Sequence, residues 1–333
     1  MKKTLACILT LSVLCCCILP VLAEEPTALL DEAELNALVE SCLEGCKKNG
    51  SNFGLAFYYT GTEETYYYQG DNHFYSASLF KLPLCMRYAE RIANGELSWD
   101  TAYSGQSVEY LVYRSLVYSD NNAAGALRYR DNEMLYGDHP FGLYSDFSED
   151  ELAQMRTAYD FSPRFMLNTL KTLYREPERF PRIVDYMKEA CPKDFFRGIL
   201  GDRYAIAQKY GQYEGVLHTA GIIYTPTPIL LVVMCDHMYG QREAIMKLAE
   251  ALADYSLQLD ERLAERRKQE EEQRKALAAP VPTETPQPVS TVPPTEEILA
   301  EAPTEQKRML PFYLCSGASV VLLCCAALLR KKR

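Results

Sequence analysis

The stretch that decides the fold is Phe74-Tyr75-Ser76-Ala77-Ser78-Leu79-Phe80-Lys81. The pattern that follows predicts a helix from Ser78 to about Asn94, closed by Gly95. A spacing of three places the Ser78 hydroxyl and the Lys81 amine on one face of this helix. A lysine that has lost its proton, because it is desolvated or lies near other cations, can take a proton from a serine and make it nucleophilic. The positive end of the helix dipole also favours an oxyanion here.

A Ser-x-x-Lys match alone is not specific, because it arises by chance about once in a chain of this length. Two further polar motifs make the pattern specific. The second motif is Tyr118-Ser119-Asp120-Asn121-Asn122-Ala123-Ala124. The third is the β-rich run Ala205-Ile206-Ala207-Gln208-Lys209-Tyr210-Gly211. In this order they resemble the Ser-x-x-Lys, Ser-Asp-Asn and Lys-Thr-Gly motifs of the class A β-lactamase and penicillin-binding serine hydrolase family. The resemblance covers roughly residues 30–260.

The resemblance implies catalytic roles for four residues. Ser78 is implied as the nucleophile that becomes acylated, and Lys81 as its general base. Ser119 is implied to relay a proton to the leaving nitrogen. Lys209 is implied to set the electrostatic potential around Ser119 and the substrate carboxylate. Asp120 is expected to brace the loop rather than to react.

Substrate binding is implied for four more residues. Asn121 is implied to bind the substrate amide while contacting Lys81, and Gly211 to let substrate lie against the strand edge. The backbone N–H groups of Ser78 and Gln212 are implied to form the oxyanion hole. Tyr210 stands where the family has the small hydroxyl of Thr or Ser, which puts carboxylate recognition by this position in doubt.

A second departure lies between residues 127 and 163. Class A β-lactamases place there a Glu-x-x-Leu-Asn loop that activates the hydrolytic water, and no such motif is present. A cluster of acidic residues lies within this segment, formed by Asp146, Glu149, Asp150 and Glu151. A cluster of acids in a loop is more often solvated than catalytic.

The order of the predicted elements indicates an α+β fold of the β-lactamase/transpeptidase-like kind. A helix within 28–48 precedes a hairpin formed by 53–60 and 65–70, and helical patterns occupy about 105–128 and 163–174. Three β-rich runs follow near 204–208, 215–224 and 228–235, and a last helix begins near residue 241. Two early and three late strands can pair in one antiparallel sheet, flanked by terminal helices and joined to a helical lobe.

Both ends of the chain predict export and anchoring. Residues 1–23 are typical of a signal peptide. Residues 309–329 carry no charge, can span roughly 31 Å as a helix and precede the basic tail 330–333, which predicts a single transmembrane helix with a cytoplasmic tail. Between them we expect a hydrolase domain at 24–262, a charged helical extension at 263–278 and a Pro/Thr/Glu-rich spacer at 279–308. The catalytic domain is therefore expected outside the cell membrane.

The charge, the cysteines and the metal-binding residue types of the chain limit the kinds of ligand and partner that we expect. A net charge of -10 gives no reason to expect nucleic acid. Seven of the twelve cysteines lie in the two apolar terminal segments, and the other five do not form a disulfide framework. No metal-ligand pattern occurs, so neither a metal nor a cofactor is predicted. We expect a monomer.

The sequence therefore predicts a membrane-anchored serine hydrolase that forms an acyl-enzyme at Ser78 with a β-lactam or a cell-wall peptide. One alternative is a penicillin-binding D,D-peptidase that turns β-lactams over slowly. A second is a catalytically silent wall-binding domain on a tether, which the joint presence of Ser78, Lys81, Ser119, Asn121 and Lys209 disfavours.

Overall fold

The computed structural model describes residues 28–130, 144 and 159–278. Its contacts divide the chain into a first unit, residues 1–279, and a second, residues 280–333, which lies outside the described residues. The predicted signal peptide, spacer, transmembrane segment and tail, and the four acids between Asp146 and Glu151, also fall outside them. Within the described ranges, no helix combines the length and apolarity needed to cross a bilayer.

The first unit contains helices on both sides of a sheet. The α-helices are α1 Glu32–Cys42, α2 Lys81–Ala93, α3 Val108–Val117, α4 Asn121–Arg130, α5 Pro163–Arg175, α6 Ile183–Glu189, α7 Phe196–Leu200 and α8 Gln241–Ala278. Short 3₁₀-helices occupy Ala77–Phe80 and Pro177–Arg179. The strands are β1 Asn52–Tyr59, β2 Glu64–Tyr68, β3 Phe74–Tyr75, β4 Ala102–Tyr103, β5 Gln106–Ser107, β6 Asp160–Phe161, β7 Ile206–Tyr213, β8 Val216–Ile223 and β9 Ile229–Asp236.

The main sheet has the strand order β2-β1-β9-β8-β7, and every neighbouring pair is antiparallel. The early hairpin joins the three late strands through the pairing of β1 with β9, in which Ala56 lies opposite Val232. The predicted antiparallel sheet of two early and three late strands is therefore confirmed. Strand β7 lies at the end of this order.

Both faces of the central strands are buried, which is why their sequences are almost continuously apolar. Successive residues of a strand point to opposite faces. On β9, Leu230 and Val232 accordingly pack into the core shared with α2–α6, whereas Leu231 and Val233 pack into the core shared with α1, α7 and α8. This arrangement confirms the helical lobe on one side and the terminal helices on the other.

Some helices begin or end at residues other than the predicted ones, because capping hydrogen bonds and local backbone conformation set their ends. The first helix was predicted within 28–48, but it spans Glu32–Cys42 because Asp31 caps it by accepting hydrogen bonds from Ala33 N and Glu34 N. The helix predicted over 105–128 is two helices, α3 and α4. They are separated at Ser119, whose φ of 56° cannot continue a right-handed helix.

The short elements were not predicted, yet they position the site. Strand β3 pairs with β6, so that Tyr75 lies opposite Asp160. Ser76 N also donates a hydrogen bond of 2.7 Å to Tyr159 O. Elements of two or three residues leave no periodic pattern in a sequence, which is why this contact could not be anticipated.

Candidate active site

The predicted nucleophile lies in a tight turn of helix. Ser78 belongs to the 3₁₀-helix Ala77–Phe80, which continues directly into α2 at Lys81. The predicted α-helical start is therefore 3₁₀, and in a 3₁₀-helix residues three apart are eclipsed. Ser78 and Lys81 consequently share one side of the turn. The preceding Ala77 has a φ of 48°, a left-handed conformation that costs energy for any residue with a side chain.

Lys81 is buried and holds the second motif in place. Its Nζ donates hydrogen bonds to Ser119 O at 2.5 Å and to Asn121 Oδ1 at 2.7 Å, and lies 3.4 Å from Ser119 Oγ. Burial disfavours the charged amine and lowers the pKa of Lys81 to about 8. A neutral amine has two N–H donors and one lone pair. Ser119 O and Asn121 Oδ1 engage the two donors, so the lone pair remains available to accept a proton.

Lys209 approaches Ser119 from the opposite side. Its Nζ donates to Ser119 Oγ at 2.9 Å and to Tyr210 O at 2.8 Å. The side chain is fully buried, and this burial, reinforced by the nearby charge of Lys81, holds the pKa of Lys209 well below its ordinary value. The hydroxyl of Ser119 thus lies between two buried amines.

Asp120 braces the loop, as predicted. Its Oδ1 accepts hydrogen bonds from Asn122 N and Ala123 N and caps α4, while its Oδ2 accepts from Nε and Nη2 of Arg114. The hydrogen bond from Arg114 lowers the pKa of Asp120, so the carboxylate stays ionised in this role. The loop can therefore hold Ser119 in its strained conformation.

The free edge of β7 faces the nucleophile turn. Ile206 O accepts from Arg197 and Tyr210 O accepts from Lys209, so neither carbonyl points toward β8. Residues two apart in a strand direct their backbone groups the same way. The N–H of Gln212 therefore also points to the free edge, beside the turn that carries Ser78.

Gly211 allows this approach. A Cβ at this position would lie 2.8 Å from Ser76 O and 3.1 Å from Ser78 N. The resemblance implied that the glycine makes room for substrate, but the structure places the nucleophile turn itself in that space. Glycine is required here for backbone packing against Ser78.

Tyr210 is not one of the described residues that line the cleft. Lys209 points toward Ser119, and the next residue of the strand must point to the other face. Tyr210 accordingly stacks on Phe195 with ring centroids 5.2 Å apart, and Lys209 Nζ lies 4.5 Å from its ring. The ring therefore lies beside the amine that is bonded to Ser119, and substrate binding by Tyr210 stays a prediction.

A cleft of about 360 Å³ opens in front of Ser78. Its described lining is Tyr75, Ala77, Ser78, Phe80, Asn121, Gly125, Arg128, Tyr159, Gln212 and Tyr213. Sequence reasoning missed the tyrosines, which come from three distant segments. It also missed Gly125 and Arg128, although their spacing from Asn121 on one helix could have identified them.

His218 ties the sheet to the segment before the nucleophile. Cys235 N donates to its Nδ1 at 3.1 Å, so the remaining ring proton is on Nε2, which donates to Tyr75 O at 3.0 Å. Complete burial lowers the pKa of His218 to about 4, which keeps the ring neutral. This histidine is a structural link between β8, β9 and β3.

The comparison with protein families identifies the class. The β-lactamase enzyme family matches residues 32–256, a range that contains all three motifs and every described element from α1 to the first half of α8. The chain belongs to this family. No curated protein sequence matches it.

Solved structures show the same fold. A β-lactamase from Xanthomonas campestris pv. campestris is 20% identical, with 67% of this chain and 97% of that chain covered and a TM-score of 0.55. A β-lactamase from Sphaerobacter thermophilus is 18% identical, with 68% of this chain and 98% of that chain covered and a TM-score of 0.53. PBP-A is 16% identical in sequence, with 66% of this chain and 96% of that chain covered and a TM-score of 0.55. The predicted β-lactamase/transpeptidase-like α+β fold is therefore confirmed.

Two glycine substitutions should change stability in opposite directions. Gly211→Ala should lower the free energy of unfolding by about 1–3 kcal/mol, because the new methyl group meets backbone atoms that cannot move freely. Gly125→Ala should raise it by about 0.5–1 kcal/mol, since this exposed helical position has open space around it. Urea unfolding of the full-length protein measures both. A Gly211→Ala protein as stable as the unsubstituted one would show that β7 does not press against the Ser78 turn.

Proposed function

We propose that this protein is a serine hydrolase that forms an acyl-enzyme at Ser78 with a β-lactam or a cell-wall peptide. The observation that carries the proposal is the environment of Lys81. Its amine is buried, has a lowered pKa, and is hydrogen-bonded to Ser119 O, to Asn121 Oδ1 and, at the longer distance of 3.4 Å, to Ser119 Oγ. It also shares one side of a 3₁₀ turn with the Ser78 hydroxyl.

Acylation uses these groups in sequence. Lys81 accepts the proton of Ser78 as Oγ attacks the carbonyl carbon of the scissile amide, and an ester bond to Ser78 forms as the carbon–nitrogen bond breaks. The leaving nitrogen receives a proton from Ser119 Oγ, which Lys81 replenishes. Lys209 stabilises the developing negative charge on Ser119 Oγ through the hydrogen bond that its amine donates. Protons therefore balance, and Ser78 is the only residue left modified.

Charge on the carbonyl oxygen develops beside β7. The backbone N–H groups of Ser78 and Gln212 lie on adjacent segments, and we assign them to the oxyanion hole. Such fixed donors typically contribute about 10²- to 10³-fold to the rate. The amide of Asn121, whose Oδ1 is bound by Lys81, keeps its Nδ2 for the substrate amide.

Deacylation separates a β-lactamase from a D,D-peptidase. Hydrolysis of the ester requires a base that activates water. Among the described residues that line the cleft there is no Asp or Glu, and the acids Asp146 to Glu151 lie outside the described ranges. Of the groups described, Lys81 is the available base. The sequence between residues 127 and 163 lacks the Glu-x-x-Leu-Asn motif, and this favours slow turnover of β-lactams and hence the penicillin-binding D,D-peptidase as a second candidate.

A chromogenic cephalosporin tests the proposal. The unsubstituted protein should release a burst of about one equivalent of chromophore, followed by a much slower steady rate, because acylation outpaces hydrolysis of the ester. Ser78→Ala should abolish the burst. Lys81→Ala should slow it by about 10²- to 10⁴-fold, since a positioned general base is lost. Stopped-flow absorbance measures the burst, and protein mass spectrometry measures the adduct.

Two outcomes would contradict this account. A full burst in Ser78→Ala would mean that another residue is the nucleophile. Sustained rapid hydrolysis without a burst would exclude the slow D,D-peptidase and would place a second base outside the described residues. Lys47→Ala, which changes an exposed lysine far from the cleft in sequence and structure, is the control and should leave the burst unchanged.

We also propose that the domain is exported and anchored by residues 309–329 with its catalytic side outside the cell membrane. The support is the uncharged span followed by the basic tail 330–333. The full chain should sediment with membranes, whereas truncation before Met309 should release the domain. Protease added to intact cells should cut near Pro280 to Pro294. Protection of these sites from external protease would contradict the orientation.

A further inference from the structure

The described lining of the cleft contains one cationic side chain, Arg128. Lys81 and Lys209 are buried, their amines contact Ser119, and neither is among the described lining residues. Arg128 is half-buried and lines the cleft directly. No carboxylate of the described residues forms an ion pair with its guanidinium. The charge of Arg128 is therefore available to a ligand in the cleft.

The position of Arg128 on α4 fixes its distance from the reacting centre. Asn121, Gly125 and Arg128 are spaced by four and three residues and so lie on one helix face. Seven residues correspond to roughly 10 Å along the helix axis. Gly125 lies between the two polar side chains, and nothing is within 4 Å of where its Cβ would be. An open lane therefore runs along α4 from the amide of Asn121 to the guanidinium.

Aromatic rings form the opposite side of this lane. The Cζ of Arg128 lies 5.7 Å from the ring centroid of Tyr159, which packs in turn against Phe80 and Tyr75. A ring face attracts a guanidinium and restricts its orientation without neutralising its charge. The low dielectric of an aromatic wall also strengthens an ion pair formed against it. The lane is thus suited to a chain that is apolar along its length and anionic at its end.

We infer that Arg128, seven residues beyond Asn121 on α4, is a specificity-determining residue that binds a carboxylate on the acyl side of the substrate. The inference rests on the proposed acylation of Ser78 and adds the substrate class: acyl donors whose side chain ends in a carboxylate, such as an acidic peptide side chain. Arginine can bind a carboxylate through two parallel hydrogen bonds, which fixes the chain in the lane.

A matched pair of substrates tests the inference. One is a cephalosporin with a glutaryl side chain, and the other is its methyl ester, which has nearly the same shape without the charge. The unsubstituted full-length protein should be acylated at least about tenfold faster by the acid than by the ester, since charge-assisted hydrogen bonds are worth that much or more. Mass spectrometry of the adduct at timed intervals gives both rates.

Variants of two arginines on α4 show whether Arg128 causes the preference for the acid over the ester. Arg128→Gln should bring the ratio of the acid rate to the ester rate close to one, and Arg128→Lys should keep a part of the preference. Arg130→Gln is the matched control, because Arg130 is exposed on α4 and does not line the cleft, and should keep the full preference. Raising the salt concentration should reduce the preference of the unsubstituted protein.

The outcomes distinguish this inference from the proposed function. Equal rates with acid and ester in the unsubstituted protein would overturn the role of Arg128 while leaving acylation at Ser78 intact. A preference that survives Arg128→Gln would also overturn it. Acylation by neither substrate would overturn the proposed function and this inference together.

Discussion

Two lysine amines buried on either side of the Ser119 hydroxyl are the constraint on which the rest of the site depends. A buried amine is costly unless its hydrogen-bonding groups are satisfied, and two close amines cannot both carry a charge easily. Ser119 supplies acceptors to both, and Asn121 supplies a second acceptor to Lys81. Burial of the amine lowers the pKa of Lys81 to about 8, so that a substantial fraction of its amine can be neutral near physiological pH. A lysine in water could not act as such a base.

The fold is organised to maintain this contact. Lys81 is carried by the start of a buried helix, Ser119 by a strained loop and Lys209 by the outer strand of the sheet. Asp120 fixes the loop by capping α4 and pairing with Arg114. The sheet is fixed in turn by burial on both faces, which leaves β7 little freedom to move away. Three segments far apart in sequence are therefore held in fixed positions by close packing. The packing of the rest of the domain offsets the energetic cost of burying the two amines.

Much of this could be predicted from sequence, and the failures have identifiable causes. Motif residues such as Lys81 and Ser119 were recognised because their spacing and order are specific. The pairing of early and late strands followed from the pattern of apolar runs. Substrate binding by Tyr210 was predicted from its motif position and stays a prediction, whereas the stacking of its ring on Phe195 could not be foreseen from sequence. Tyr159 was missed because only the pairing of two very short strands brings it to the cleft. Arg128 was missed although it lies seven residues after Asn121 on the same helix, because it belongs to none of the three motifs.

The pH dependence of acylation tests the central claim most directly, namely that neutral Lys81 is the base. Below its pKa the amine is protonated and cannot accept the proton of Ser78. The rate of acylation by a penicillin whose own charge does not change in this range should therefore rise about tenfold per pH unit below pH 8 and level off above it. Stopped-flow measurement between pH 5.5 and 9.5, chosen as about two units around that value, covers the transition. A rate that is constant from pH 6 to pH 9, or that falls as the pH rises toward 8, would contradict the account.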